Sequence, residues 1–333
     1  MAAMAILPEM GRGRLAVLVV ALVLAGCAPR LQPPGPEARA PELAEDRFIT
    51  ADGLALPLRV WPAAGPARAV IVGLHGFGDY SRGFDSPARW WAERGITTYA
   101  YDQRGFGATP YRGIWPGVDR LTADLRDMVA LVRERHPGLP IYVVGVSMGG
   151  AVAMAALARE PPPVAGAVLS APAVWGRETM NPIQRAVLWL AAHTMPWNYA
   201  DARDLNIRPS DNIEMLRALA RDPLVYKRSR IDMVYGMVDL MDAALAAAPK
   251  IETPLLLLYG TRDEVIPKKP IELMLGRLRA PRRVALYDEG WHLLLRDLGA
   301  ERVWRDVAAW IADPEGPLPS GRERRGSPLF AGR

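Results

Sequence analysis

The stretch Ile141-Tyr142-Val143-Val144-Gly145-Val146-Ser147-Met148-Gly149-Gly150 constrains this chain more than any other. Four apolar or β-branched residues open it and read as a buried strand. Gly-x-Ser-x-Gly follows at once, and Ala151 to Ala158 are good helix formers. Strand, serine and helix in direct succession are the context of a nucleophile elbow. Such a turn must be very sharp, so that the Ser147 hydroxyl stands clear of the backbone. Side chains at Gly145 and Gly149 would collide with the neighbouring strand and helix. The Met148 N–H would then point to where an oxyanion forms, at the positive end of the new helix.

The 333 residues are half hydrophobic, ample for one large α/β domain with an insertion or for two smaller ones. The formal net charge is +5, and only four of the 41 basic residues are Lys. The basic residues are scattered, with no stripe interleaved with aromatics, so nucleic acid is not an expected partner. The four histidines, at 75, 136, 193 and 292, have no ligand-type spacing. Neither a metal nor a cofactor is expected. A lone cysteine, Cys27, excludes an intramolecular disulfide.

Arg12 and Arg14 precede an apolar run from Leu15 to Leu24, and Ala25-Gly26-Cys27 follow. The run is short for a membrane span and has the layout of an export signal. Leu24-Ala25-Gly26-Cys27 resembles the lipobox of bacterial lipoproteins. That resemblance implies removal of residues 1–26, acylation of Cys27 and anchoring to a membrane of the cell envelope. Ala28 after the Cys resembles the outer-membrane sorting pattern. An ordinary secretory signal is the alternative. Residues 27–46 hold Pro29, Pro33, Pro34, Pro36 and Pro41 and read as an extended tether. Its reach is at most about 60 Å, at roughly 3.1 Å per residue.

Residues 47–313 carry the expected folded domain. Phe48 to Trp61 reads as a hairpin around Asp52-Gly53, with Pro57 suited to an edge strand. Ala69 to Leu74 is a buried strand, ending in His75-Gly76-Phe77-Gly78. That Gly-rich turn lets the Phe77 N–H face the nucleophile as a second oxyanion donor. His75 there reads as a shaper of the loop rather than a base. Thr97 to Tyr101 is the next strand. Asp102 and Arg104 after it are expected to satisfy one another or nearby backbone. Leu121, Leu125, Met128, Val129 and Val132 lie at helical spacing. Strand and helix alternate, which predicts a mostly parallel sheet with helices on both faces.

The alternation breaks from about 172 to 250, where no strand is evident. This reads as a helical cap. Its Met residues, with Met233, Met237 and Met241 on one helical face, suit either ordinary core or the wall of an apolar pocket. Strands resume at Leu255 to Tyr259 and Val284 to Tyr287, and residues 314–333 read as a disordered tail.

A serine hydroxyl needs a base, and the base needs an orienting acid. His292 follows the last strand and Asp263 follows the one before it. The order Ser147, Asp263, His292 is that of α/β-hydrolases. Asp288, Glu289 and Glu264 are rival acids, and His136 and His193 rival bases.

His75-Gly76-Phe77-Gly78, Gly145-Val146-Ser147-Met148-Gly149-Gly150, Gly260-Thr261-Arg262-Asp263 and Gly290-Trp291-His292 resemble the monoacylglycerol lipase-like branch of α/β-hydrolases, the serine aminopeptidase/lysophospholipase group. Asp222-Pro223-Leu224-Val225 is similar to that branch's cap. The likeness covers about residues 45–312. It implies a helical lid over a hydrophobic acyl tunnel and hydrolysis of single-chain lipid esters through an acyl-enzyme. A peptidase or amidase of the same fold is the alternative activity. A non-catalytic envelope lipoprotein is the alternative from another class. One departure stands out: Gln103 and Phe106 occupy positions where monoacylglycerol lipases usually carry His, and that loop is nearer to epoxide hydrolases and dehalogenases.

Overall fold

A computed structural model describes residues 28–201 and 207–324. Eleven strands run in chain order: β1 (Glu42–Leu43), β2 (Arg47–Ile49), β3 (Ala55–Trp61), β4 (Ala69–Leu74), β5 (Ile96–Tyr101), β6 (Ile141–Val146), β7 (Gly166–Ser170), β8 (Tyr199–Asp201), β9 (Arg228–Arg230), β10 (Leu255–Gly260) and β11 (Arg282–Tyr287). Nine form one sheet, in the order β1-β2-β3-β5-β4-β6-β7-β10-β11. From β5 to β11 all neighbours are parallel, and β1, β2 and β3 add antiparallel at one edge. The central strands read as continuous apolar runs because both sheet faces are covered. The sequence and the structure therefore agree on a mostly parallel α/β sheet. Pro57 departs from expectation. β3 lies inside the sheet, with Pro57 opposite Arg47 of the three-residue β2.

The described helices are α1 (Asp85–Ala92), α2 (Val118–Arg135), α3 (Met148–Arg159), α4 (Pro182–Thr194), α5 (Ile213–Arg221), α6 (Ile231–Ala247), α7 (Lys268–Arg277) and α8 (Ala300–Ala312). Alternate strand residues feed two cores. Val70, Val72 and Val143 pack with α2, α3, α6 and α7, whereas Ile71, Tyr142 and Val144 pack with α1 and α8. Met233, Met237 and Leu240 of α6 are buried in the first core, and Gly236 sits against the Trp115 ring, where a Cβ would clash. The Met face of α6 thus packs into the body, and the rest of the insertion lies over the loops that follow β4, β10 and β11. It holds α4, α5 and a two-stranded antiparallel pair, β8 with β9. Strands of three residues each are too short to leave an alternation to read.

Two flanking segments are more ordered than their composition implies. Residues 28–46 are strapped to the body. The Gln32 N–H donates to Trp115 O at 2.9 Å and the Gln32 side chain to Ile114 O at 2.8 Å. The Gly35 N–H donates to Asp52 Oδ2, and the Arg39 N–H to Ala51 O. Proline limits the chain's own hydrogen bonding, but the other residues still offer donors that the hairpin accepts. Residues 314–324 cover the open edge of β11. Leu286 N–H donates to Arg322 O, Arg324 N–H donates to Val284 O, and Arg283 pairs with Glu323 at 2.8 Å. An uncovered edge strand offers such unpaired groups to any passing chain. Residues 325–333 of the expected tail, residues 1–26 and Cys27 lie outside the described residues.

Candidate active site

Ser147 joins β6 to α3 with φ 51° and ψ −111°. A non-glycine residue held there costs about 1–3 kcal/mol and persists only if its surroundings over-determine it. They do: Ser147 N–H donates to Ser170 O at 2.9 Å, and Ser147 O accepts from Ala151 N–H at 3.1 Å and Ala173 N–H at 3.0 Å. Three bonds at roughly 1 kcal/mol each offset the strain. The flanking glycines are required by contact. A Cβ at Gly145 would lie 2.5 Å from Gly149 O, and one at Gly149 would overlap Leu74 O. Met148 is the first residue of α3, so its N–H is one of those left without a helical acceptor.

The turn after β4 brings Phe77 to the same place. Ser147, Phe77 and Gly76 line one cavity. His75 holds the turn. Its Nε2 accepts from Gln103 N–H at 2.9 Å, so Nδ1 carries the proton and donates to Gly76 O at 2.8 Å. Burial lowers its pKa from the ordinary value, which keeps the ring neutral. Gln103 also donates from its side chain to His75 O, and Phe106 packs edge-on against both His75 and Phe77. Neither Gln103 nor Phe106 lines the cavity, so the loop that departs from the lipase pattern acts from behind the turn.

Asp102 and Arg104 do not pair with each other. Asp102 accepts from Ser81 N–H, Ser81 Oγ–H and Ala108 N–H, fixing the loop. Arg104 is buried and forks between Asp52 of the β2–β3 turn and Asp124 of α2, with contacts of 2.6 to 2.8 Å. A buried guanidinium needs partners for all its donors, and two carboxylates satisfy more of them than one would.

Asp263 and His292 meet at the ends of β10 and β11. Asp263 Oδ2 accepts from His292 Nδ1–H at 2.8 Å, and its Oδ1 accepts from Val265 N–H at 2.8 Å and Ile266 N–H at 3.0 Å. The Asp263 side chain is fully buried and that of His292 nearly so. Nε2 is left for the cavity that His292 lines together with Ser147. The rival groups are engaged elsewhere. Asp288 is half-exposed and pairs with Arg322, Glu264 accepts from Arg208 N–H, His136 bonds Tyr99 OH, and His193 bonds Trp189 O on α4.

Two features of the site have no sequence signal. Asp297, whose carboxyl burial pushes up in pKa, accepts from Trp291 N–H at 2.8 Å and from Ser210 Oγ–H at 2.6 Å. It locks the residue before His292 to the insertion. Asp79, just after the Phe77 turn, pairs with Arg296, just after the His292 loop. The insertion is fastened to all these loops. Tyr226 N–H donates to Gly78 O at 2.8 Å, Leu293 N–H to Pro209 O at 2.9 Å, and Arg208 N–H to Glu264 at 2.7 Å.

The cavity is about 330 Å³. Its wall is mostly apolar, with Ile207, Leu219, Val225, Tyr226, Val265 and Leu293 prominent. No methionine is among its described lining residues, and Met233 and Met237 take the core alternative of the two that their spacing left open. A larger cavity of about 590 Å³ lies beyond Asp79 and Arg296. Neither Ser147 nor His292 lines it, so it is not where these groups act. Among the described residues no cluster of three or more His, Cys, Asp or Glu is placed to hold a metal ion.

The family model for "Serine aminopeptidase, S33" matches residues 65–299, more than half of the chain. The chain belongs to this family. It is an α/β-hydrolase of the monoacylglycerol lipase-like group. The monoacylglycerol lipase of Mycolicibacterium smegmatis is 26% identical over 270 residues, covering 80% of this chain and 96% of that protein. The human monoglyceride lipase is 26% identical over 275 residues, covering 80% and 89%. A soluble variant of the Saccharomyces cerevisiae monoglyceride lipase, solved with a substrate analogue, superposes with a TM-score of 0.69 at 21% identity, covering 84% of this S33 chain and 98% of that one.

Proposed function

We propose that this enzyme hydrolyses esters of single-chain lipids, of monoacylglycerol or lysophospholipid type, through an acyl-enzyme on Ser147. One observation carries the reading: a strained serine and an Asp263-held His292 share one apolar cavity. The chain is an ester hydrolase of the lipase and esterase kind, and its likeness to monoacylglycerol lipases favours a lipid ester. Ser147 Oγ attacks the ester carbonyl while its proton passes to His292 Nε2. Asp263 keeps the Nδ1 proton in place and stabilises the imidazolium. The Phe77 and Met148 N–H groups take the charge on the tetrahedral oxygen. The alcohol leaves with the proton from His292. Water, deprotonated by His292, then attacks the acyl group, and the acid is released.

A peptidase of this fold would need an acidic group to hold the substrate amine. Among the described lining residues the one carboxylate is Asp79, and Arg296 already neutralises it. Specificity for p-nitrophenyl esters is expected to climb with acyl length. Each buried methylene contributes up to about 0.8 kcal/mol, roughly fourfold, until the cavity is full. A flat chain-length profile, or faster cleavage of aminoacyl-arylamides, would overturn the lipid-ester reading.

We also propose that Cys27 is the acylated first residue of a mature envelope protein. The support is the sequence from Leu15 to Cys27. Metabolic palmitate labelling is expected to mark the wild type and not Cys27→Ser. A wild type that takes up no label would leave a secreted hydrolase instead.

A further inference from the structure

A cavity of about 350 Å³ adjoins the catalytic one, and Val225 and Tyr226 line both. Four cations line it, Arg112, Lys227, Arg228 and Arg230, and no carboxylate is among its described lining residues. The larger cavity beyond Asp79 and Arg296 is different. There Asp79, Asp85 and Asp222 balance Arg82, Arg221 and Arg296. Of the two neighbours of the catalytic cavity, one draws anions and the other does not.

The four cations differ in what they can offer a ligand. Lys227 Nζ donates to Leu219 O, Asp222 O and Val225 O, which uses its three N–H groups. It supplies charge without contact. Burial lowers its pKa, Asp222 opposes this, and the charge of Arg112 adds to it. An anion in the cavity relieves that crowding of positive charge. Arg230 gives its Nε–H and one Nη2–H to Asp232. Arg112 donates to Pro223 O and lies over the Tyr226 ring, 4.7 Å from its centroid. Among the described residues no carboxylate pairs with Arg112. Arg228 lies over the Tyr199 ring at 5.3 Å, with Asp201 opposite it in the β8–β9 pair. A guanidinium stacked on a ring keeps its N–H edge exposed, and that planar fork matches two oxygens of a phosphate. The platform under Arg112 is fixed, because Tyr226 OH donates to Gly105 O and its ring packs on Phe106.

We propose that Arg112 and Arg228, backed by the charges of Lys227 and Arg230, form a subsite for the phosphate of a single-chain phospholipid, an inference that rests on the lipid-ester reading and selects the lysophospholipid from its two substrate types. An ester held at Ser147 has an acyl chain on one side and an alcohol on the other. The apolar wall of the catalytic cavity suits the chain. The cationic cavity, across Tyr226, suits an alcohol that carries a phosphate. A glycerol without phosphate gains nothing from four cations. Arg112 and Arg228 are positioning residues here, since they hold the head group and take no part in the bond changes at Ser147.

The test compares lauroyl-lysophosphatidylglycerol with monolauroylglycerol on the full chain, each below its critical micelle concentration. Arg112→Gln with Arg228→Gln is expected to raise KM for the phospholipid by at least about tenfold. The same variant is expected to leave kcat, and KM for monolauroylglycerol, as in wild type, which also shows that it is folded. Arg112→Lys, which keeps the charge and loses the fork, is expected to fall between. Arg133→Gln with Arg305→Gln, on α2 and α8, removes the same charge elsewhere and is expected to change neither KM. Inorganic phosphate is expected to compete with the phospholipid in wild type and not in the double variant. An unchanged phospholipid KM in the double variant, an equal rise for both substrates, or an equal rise in the Arg133 and Arg305 control would overturn the proposal. Inorganic phosphate that slows both substrates without competing would also overturn it, assigning the cavity to free phosphate. A wild type that cleaves neither ester would count against the hydrolase reading instead. Calorimetric binding of the lysophospholipid, lost or kept in the double variant, would then still decide the subsite.

Discussion

Ser147→Ala is expected to lower kcat for ester hydrolysis by at least about 10³-fold while the chain remains folded. The expectation of a folded variant comes from how the turn is held. The bonds at Ser147 run through its backbone N–H and C=O, to Ser170, Ala151 and Ala173, and an alanine keeps all three. Alanine also keeps a Cβ, so the strain at φ 51° is the same in both chains. What is lost is Oγ alone. The residual rate should come from the Phe77 and Met148 N–H groups and from substrate binding, which other triad enzymes retain. Initial rates on a medium-chain ester, with a thermal melt beside them, decide it. More than a tenth of wild-type activity in a folded Ser147→Ala would remove Ser147 from the mechanism.

A second large effect is expected for Asp263→Asn, on the order of 10⁴ in kcat. The carboxylate has two different duties here. Oδ1 accepts from the N–H groups of Val265 and Ile266, and Oδ2 accepts from His292 Nδ1–H. An asparagine must leave its oxygen toward the two N–H donors, or bury them unpaired. Its NH₂ then faces His292 and donates, so Nδ1 becomes an acceptor. The imidazole proton moves to Nε2, where it blocks uptake of the serine proton. Asp288→Asn should do little, because Asp288 sits in half-exposed pairs with Arg322 and Arg324. Such pairs contribute about 0–1 kcal/mol to stability. If Asp288→Asn shows the larger fall in kcat, the orienting acid has been misassigned.

Legibility in this sequence follows the range of the interactions. The strand from Ala69 to Leu74 and the helix from Val118 to Arg135 are readable because their apolar period is local. The meeting of Asp263 with His292 is readable because each lies just past a strand end, and neighbouring parallel strands bring such ends together. The Arg104 fork is not readable. Its partners Asp52 and Asp124 are distant along the chain, and the adjacent Asp102 offers a nearer but wrong match. Methionine spacing in α6 is read correctly as a helical face, but the pattern is the same for a core as for a pocket wall. The strap at residues 28–46 is missed for a related reason. Proline-rich composition reports what a segment cannot do by itself, not what a neighbouring hairpin can do for it.

The ties between the insertion and the body have a mechanical consequence. Tyr226 holds the turn bearing Phe77, Pro209 holds the loop bearing His292, and Arg208 holds the loop bearing Asp263. Lifting the insertion as one piece would break all three bonds and slacken three reacting loops together. Substrate entry therefore favours movement of the outer helices over a base that stays pinned. The insertion is a splint as well as a roof. A foreign cap transplanted onto this body would first have to re-knit those three bonds, and one that failed would depress kcat for every ester alike, however well its walls suited the acyl chain.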